Sequence, residues 1–161
     1  MTRVMTIQIR PRWEEISDVR RQTANFLVEQ NLPRDVVDAL AMVACELTEN
    51  ATKYGKYEAP SDRIDVHVSF GKPGVMVEVT HPVDASREEH LTRLDRMVQW
   101  IRGFQDPFEA YLQRLKEMTT EGLNSTESRL GLVRIAYEGQ SVLDFYVDDR
   151  NLLAVSAIRR L

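Results

Sequence analysis

The stretch ACELTENATKYG, Ala44 to Gly55, closes the longest amphipathic segment of the chain and decides how the rest is read. Glu46 and Asn50 are four residues apart, so on a helix of ~3.6 residues per turn they project from one face, one above the other. With Leu47 as the core direction and ~100° per residue, Val43 and Asn50 fall close together, and Glu46 and Lys53 lie slightly further round the same side. The polar stripe therefore borders the apolar one. A carboxylate and an amide beside a core face need partners or a wet cavity, because burying either without hydrogen bonds is costly. Taken alone, the pair also fits an ordinary exposed helix stripe, Glu and Lys being good helix formers.

The helix that carries this stretch runs from about Arg34 to Lys53, with Val36, Leu40, Val43, Leu47, Ala51 and Tyr54 as its core stripe. Pro33 suits its first turn and Asp35 the positive end of its dipole, and Gly55 is placed to end it in a left-handed cap. Upstream, Trp13, Ile16, Val19, Thr23, Phe26 and Leu27 follow a helical period from Trp13 to Gln30 that Asn31-Leu-Pro33 breaks. Before it, Val4, Ile7 and Ile9 mark a short strand ended by Pro11.

Downstream, Arg63 to Phe70 and Val75 to Thr80 alternate apolar and polar residues across Gly71-Lys-Pro-Gly74, which predicts an antiparallel hairpin with one face on the core. From about Ser86 to Gly122 the pattern is charged and helical, with breaks at Gly103 and near Pro107. Leu91, Leu94, Met97, Val98 and Ile101 form one stripe; Phe108, Tyr111, Leu112 and Leu115 form another. These stripes read as packing or a homodimer surface. After the polar loop Asn124 to Ser128 come a short helix, Leu130 to Tyr137, and two strands, Val142 to Val147 and Leu152 to Ile158, turned at Asp148 to Asn151. Helices alternating with hairpins indicate an α+β fold: a two-layer sandwich with helices on one face of a mostly antiparallel sheet.

The 161 residues suit one domain carrying a helical insertion over about 86–122. Net charge is −4 from 21 basic and 25 acidic residues, interspersed, so no basic block marks a nucleic-acid footprint. The N-terminus is too poor in apolar residues for a signal peptide, and no apolar run approaches the ~18 residues of a membrane span, so the cytoplasm is expected. The lone Cys45 excludes an internal disulfide and reads as a small helix residue near the core. His67, His81 and His90 form no metal-ligand pattern.

The element order, with E-x-x-x-N on the second helix, resembles the GHKL ATPase superfamily, whose fold is the Bergerat-type sandwich. In particular it is similar to the stand-alone anti-sigma-factor serine kinases. ELTENATKYG matches that family's N box. The resemblance implies that Glu46 polarises the attacking nucleophile, that Asn50 coordinates the Mg²⁺ bridging the phosphates of ATP, and that Lys53 approaches a phosphate. A metal that prefers oxygen ligands and keeps several waters agrees with a single amide ligand.

A second match is SRLGLVRIAYEG, Ser128 to Gly139. In the family a glycine-rich turn precedes a helix whose amides cradle the phosphates. Gly131 and Leu132 fit the last Gly-Leu of that box, and Arg129 stands where another glycine is common, as either a phosphate contact or a solvated residue at the helix start. The closing strands LDFYVDD and LLAVSAIRR resemble SiaB-type kinases, and the whole likeness extends from Val36 to Leu161.

Between hairpin and insertion the family has D-x-G-x-G, whose aspartate binds the adenine amino group. Here the stretch is VTHPVDASRE, with His81 and Pro82 near the expected aspartate and no glycine. Asp84 takes that role if the loop is re-registered. The resemblance implies an ATP-dependent serine/threonine protein kinase or anti-sigma-type regulator acting on a small regulatory partner, such as a STAS-type protein. The alternative is a degenerate GHKL module that binds a partner without ATP turnover.

Overall fold

The computed structural model describes residues 1–84, 88–121 and 130–161. Strands β1 (Arg3–Ile9), β2 (Ile64–Phe70), β3 (Gly74–Pro82), β4 (Val142–Val147) and β5 (Leu152–Arg160) pair antiparallel in the order β1-β2-β3-β5-β4. Their period of two puts Ile64, Val66 and Val68 of β2 and Val75, Val77 and Val79 of β3 on one fully buried face. The register carries that face across the sheet: Ile7 lies opposite Val66, Val66 opposite Val79, and Val79 opposite Val155. On the other face Thr6, His67, Glu78 and Ser156 form a row that is half-buried or exposed.

On the apolar side lie α1 (Ile16–Glu29), α2 (Arg34–Tyr54), α3 (Glu88–Arg102) and α5 (Leu130–Tyr137), and α4 (Pro107–Glu121) packs on α5 and α3. The arrangement is the predicted two-layer α+β sandwich. Helix α2 packs on β2 and β3 and is flanked by α1 and α5. Accordingly it is buried almost all round from Val36 to Ala51, with Cys45 among its buried residues. A helix covered on most sides needs a largely apolar circumference; the exposed Asp38 interrupts it near the start, and Glu46, Glu49 and Asn50 interrupt it in the later turns.

Four local expectations change. Val4 has the opposite parity to Ile7 and Ile9, so it points away from the core and is exposed, with the half-buried Met5 in its place. Trp13 sits in a 3₁₀ turn ahead of α1, out of phase with the helical stripe, and is 58% exposed. Gly55 is extended (φ −70°, ψ 157°), not left-handed. The end of α2 is satisfied another way, because Gly55 N–H and Tyr57 Oη both donate to the Ala51 carbonyl at 3.0 and 2.7 Å. In α4 the buried side carries Ala110 and Arg114, the latter bonded to Glu117 at 3.2 Å, while Phe108 and Leu112 are exposed. Phe108 and Tyr111 instead meet the ring of Tyr137, with centroids 5.0 and 5.3 Å apart.

Candidate functional site

A cavity of about 240 Å³ opens beside the last turns of α2. Its helical wall is Glu46, Leu47, Glu49, Asn50, Ala51, Lys53 and Tyr54, the stripe singled out by the i, i+4 spacing. Gly131 and Leu132, from the first turn of α5, stand across from it. The floor comes from the sheet, where Val79 and His81 of β3 lie opposite Val155 and Leu153 of β5. The far wall is the insertion: His90, Arg93, Leu94 and Met97 of α3 all face the cavity, and Trp13 stands at its edge. The apolar stripe of α3 is therefore cavity wall as well as packing.

Glu46 is the most constrained polar group of this wall. Its Oε1 accepts from Arg134 Nη1 of α5 at 2.8 Å, a contact between residues 88 positions apart. Arg134 also donates through Nε to Glu138 at 3.0 Å, so one guanidinium bridges two carboxylates. Only 16% of the Glu46 side chain is exposed. Burial pushes its carboxyl above the ordinary value, and the neighbouring charges of Glu49 and Glu138 push the same way, while Arg134 and Arg20 oppose them.

Close approach of α5 to α2 depends on glycine. A Cβ on Gly131 would stand 2.5 Å from Glu46 Oε2 and would displace that carboxylate, and one on Gly139, just past the end of α5, would stand 2.5 Å from both Val43 Cγ2 and the Ile135 carbonyl oxygen. Tyr54 stacks on His90 with centroids 4.9 Å apart, tying the end of α2 to α3, and the Lys53 ammonium lies 5.1 Å from the Tyr54 ring centre.

The floor has different chemistry. His81 ends the inward-facing row Val75, Val77, Val79 and is 3% exposed. Its Nδ1 lies 3.0 Å from the Pro82 carbonyl, which only accepts, so Nδ1 carries the hydrogen and Nε2 is left as an acceptor. Burial lowers its pKa to about 4, so the ring is neutral near pH 7.

Of the seven residues the sequence singled out, Glu46, Asn50, Lys53, Gly131 and Leu132 line this one cavity. Asp84 follows the end of β3 and is half-buried, but does not line it. The chain is not re-registered there: the alternation of β3 runs through to His81, and Val83 N–H donates to the Asn151 carbonyl at 2.9 Å. Arg129 lies outside the described residues. The polar cavity residues that sequence reasoning did not select are Glu49, His81, His90 and Arg93, with Trp13 at the edge and Arg134 behind Glu46. Strand parity contained the signal for His81. Arg134 had none, because its partner is distant in the chain.

Among the described residues no group of three His, Cys, Asp or Glu side chains is placed to hold a metal ion by itself. A cation here would have to bring most of its ligands with it, as phosphate oxygens and water, and Asn50 offers the hard oxygen that suits Mg²⁺. Nor is any described helix long and apolar enough to cross a membrane.

The fold is similar to that of a chain in the crystal structure of the SiaB–SiaC complex from Pseudomonas aeruginosa. The TM-score is 0.70 with 18% identity, over 95% of this chain and 87% of that one. No family model matches the chain, and no curated protein matches it significantly. At this identity the likeness establishes the architecture.

Proposed function

We propose that the chain binds Mg·ATP in the cavity between α2, α5 and β3 and acts as a serine/threonine protein kinase in a partner-switching system, transferring the γ-phosphoryl group to a small regulatory protein. The observation that carries this reading is the convergence of Glu46, Asn50 and Lys53 from α2 with Gly131 and Leu132 from α5 on one cavity. The similarity to a chain from a SiaB–SiaC complex supports a small protein as partner.

In this reading Asn50 and the first-turn amides of α5 hold the metal and phosphates, and Lys53 offsets phosphate charge. Bound Mg²⁺ supplies charge neutralisation on the transferring group. Glu46 accepts the proton of the acceptor hydroxyl, for which it must be ionised. His81 Nε2 offers an acceptor to an exocyclic amine of the base, the role that an aspartate plays in the family.

His81 also favours a second reading. A histidine replacing the aspartate, with no glycine following, fits a GHKL module that holds a partner without turning ATP over. Incubation with γ-labelled Mg·ATP and a SiaC-type acceptor separates the two. Label on a serine or threonine of the acceptor, lost in Glu46→Gln, is expected; nucleotide binding with no label on the acceptor would favour the second.

A further inference from the structure

Arg134 has no role in the chemistry outlined so far, yet it is the charged group that meets Glu46 from the facing helix. The contact is short, 2.8 Å, and crosses from α5 to α2. The same guanidinium is shared with Glu138, just past the end of α5. The second carboxylate oxygen lies against Gly131 of the same helix: a Cβ there would stand 2.5 Å from Oε2. Both carboxylate oxygens of Glu46 thus meet one short helix, Oε1 at the Arg134 guanidinium and Oε2 at Gly131, while the residue lines the cavity.

We propose that Arg134 is the positioning residue for Glu46, aiming its carboxylate at the cavity across the α2–α5 seam, with Glu138 tempering that hold by drawing on the same guanidinium. The inference rests on the reading of Glu46 as the proton acceptor. A bonded, planar guanidinium fixes a carboxylate's direction better than an ammonium does, because its donors form a rigid fork. Glu138 prevents Arg134 from closing on Glu46 with the whole fork, since its Nε is already committed. The charges facing Glu46 are Glu49 on its own helix, Arg20 from α1, Arg134 from α5 and Glu138 just past the end of α5. Arg134 and Glu138 act on it with opposite sign.

Two sets of measurements test this. In phosphoryl transfer, Arg134→Gln should lower kcat about 10²-fold, the scale of a ~1 Å misplacement, with KM for Mg·ATP unchanged. Arg134→Lys should recover part of the loss. Gly131→Ala displaces the same carboxylate, so the double variant should be no slower than the worse single one. Independently of any transfer, the Glu46 carboxyl carbon can be followed by NMR against pH. Its midpoint should rise in Arg134→Gln and fall in Glu138→Gln. A midpoint that does not move in Arg134→Gln, or a kcat that does not change, overturns the proposal. If the midpoints move as stated but the wild-type chain transfers nothing, the hold of Arg134 on Glu46 stands and the kinase reading fails.

Discussion

The α2–α5 side of the cavity and its sheet floor solve different problems with different chemistry. Along α2, polar groups at i, i+4 spacing enter an otherwise buried helix, and the carboxylate among them is matched by a guanidinium from α5. On the floor, Val79, Leu153 and Val155 present apolar surface around His81, which burial keeps neutral with a pKa of about 4. The first region spends its hydrogen bonds holding charge; the second excludes charge. The cavity thus has one charged wall and one neutral, largely apolar floor.

That contrast can be broken by substitution. The largest effect is expected at Glu46: Glu46→Gln should reduce phosphoryl transfer by about 10²- to 10⁴-fold, the usual scale of a positioned proton acceptor, while nucleotide-induced stabilisation persists. Loss of nucleotide binding in that variant would merge the two regions into one binding surface.

The next effect is the acid sensitivity of the floor. The folded pKa of His81, about 4, lies below the ordinary value near 6.5, so the neutral form is favoured in the native state. As the pH falls from 6.5 to about 4 the unfolded chain takes up a proton that native His81 refuses. Its stabilising contribution is therefore complete above 6.5 and lost on reaching about 4. At ~1.4 kcal/mol per pH unit this is ~3 kcal/mol. Urea unfolding from pH 7 to 4 should show the wild type losing about that much more stability than His81→Gln. Equal slopes would mean that His81 is already charged or solvated.

The smallest effect belongs to the solvent side of the insertion. Glu89 pairs with Arg93 at 2.8 Å, but its side chain is 78% exposed. Glu89→Ala should therefore change stability by less than ~0.5 kcal/mol, measured by the same unfolding curves. A larger loss would show that this pair braces the α3 wall.

How much of this was legible in the sequence follows from the range of each interaction. Helix α2 and its Glu46, Asn50 and Lys53 stripe depend on spacings of three and four residues, which the sequence displays directly. Strand parity was equally local, and following it through β3 from Val75 leads to His81 facing inward and leaves Asp84 beyond the strand end. Phase errors arose where an element changed type or was covered from an unexpected side. Trp13 fell in a 3₁₀ turn, and α4 turned Phe108 outward to meet Tyr137. The Arg134–Glu46 pair could not be read from sequence, because it exists only when α5 docks on α2 across 88 positions of chain. In the same way, the stripe of α3 shows an apolar face but not that a cavity lies beneath it.

The most direct test is thermal unfolding with and without Mg·ATP. At about 100 times its dissociation constant a ligand of the native state adds ~2.7 kcal/mol of stability, which for a chain of this length raises Tm by several degrees. That rise should require magnesium, and Asn50→Ala should abolish its magnesium dependence. No change in Tm at millimolar Mg·ATP would contradict nucleotide binding between α2, α5 and β3.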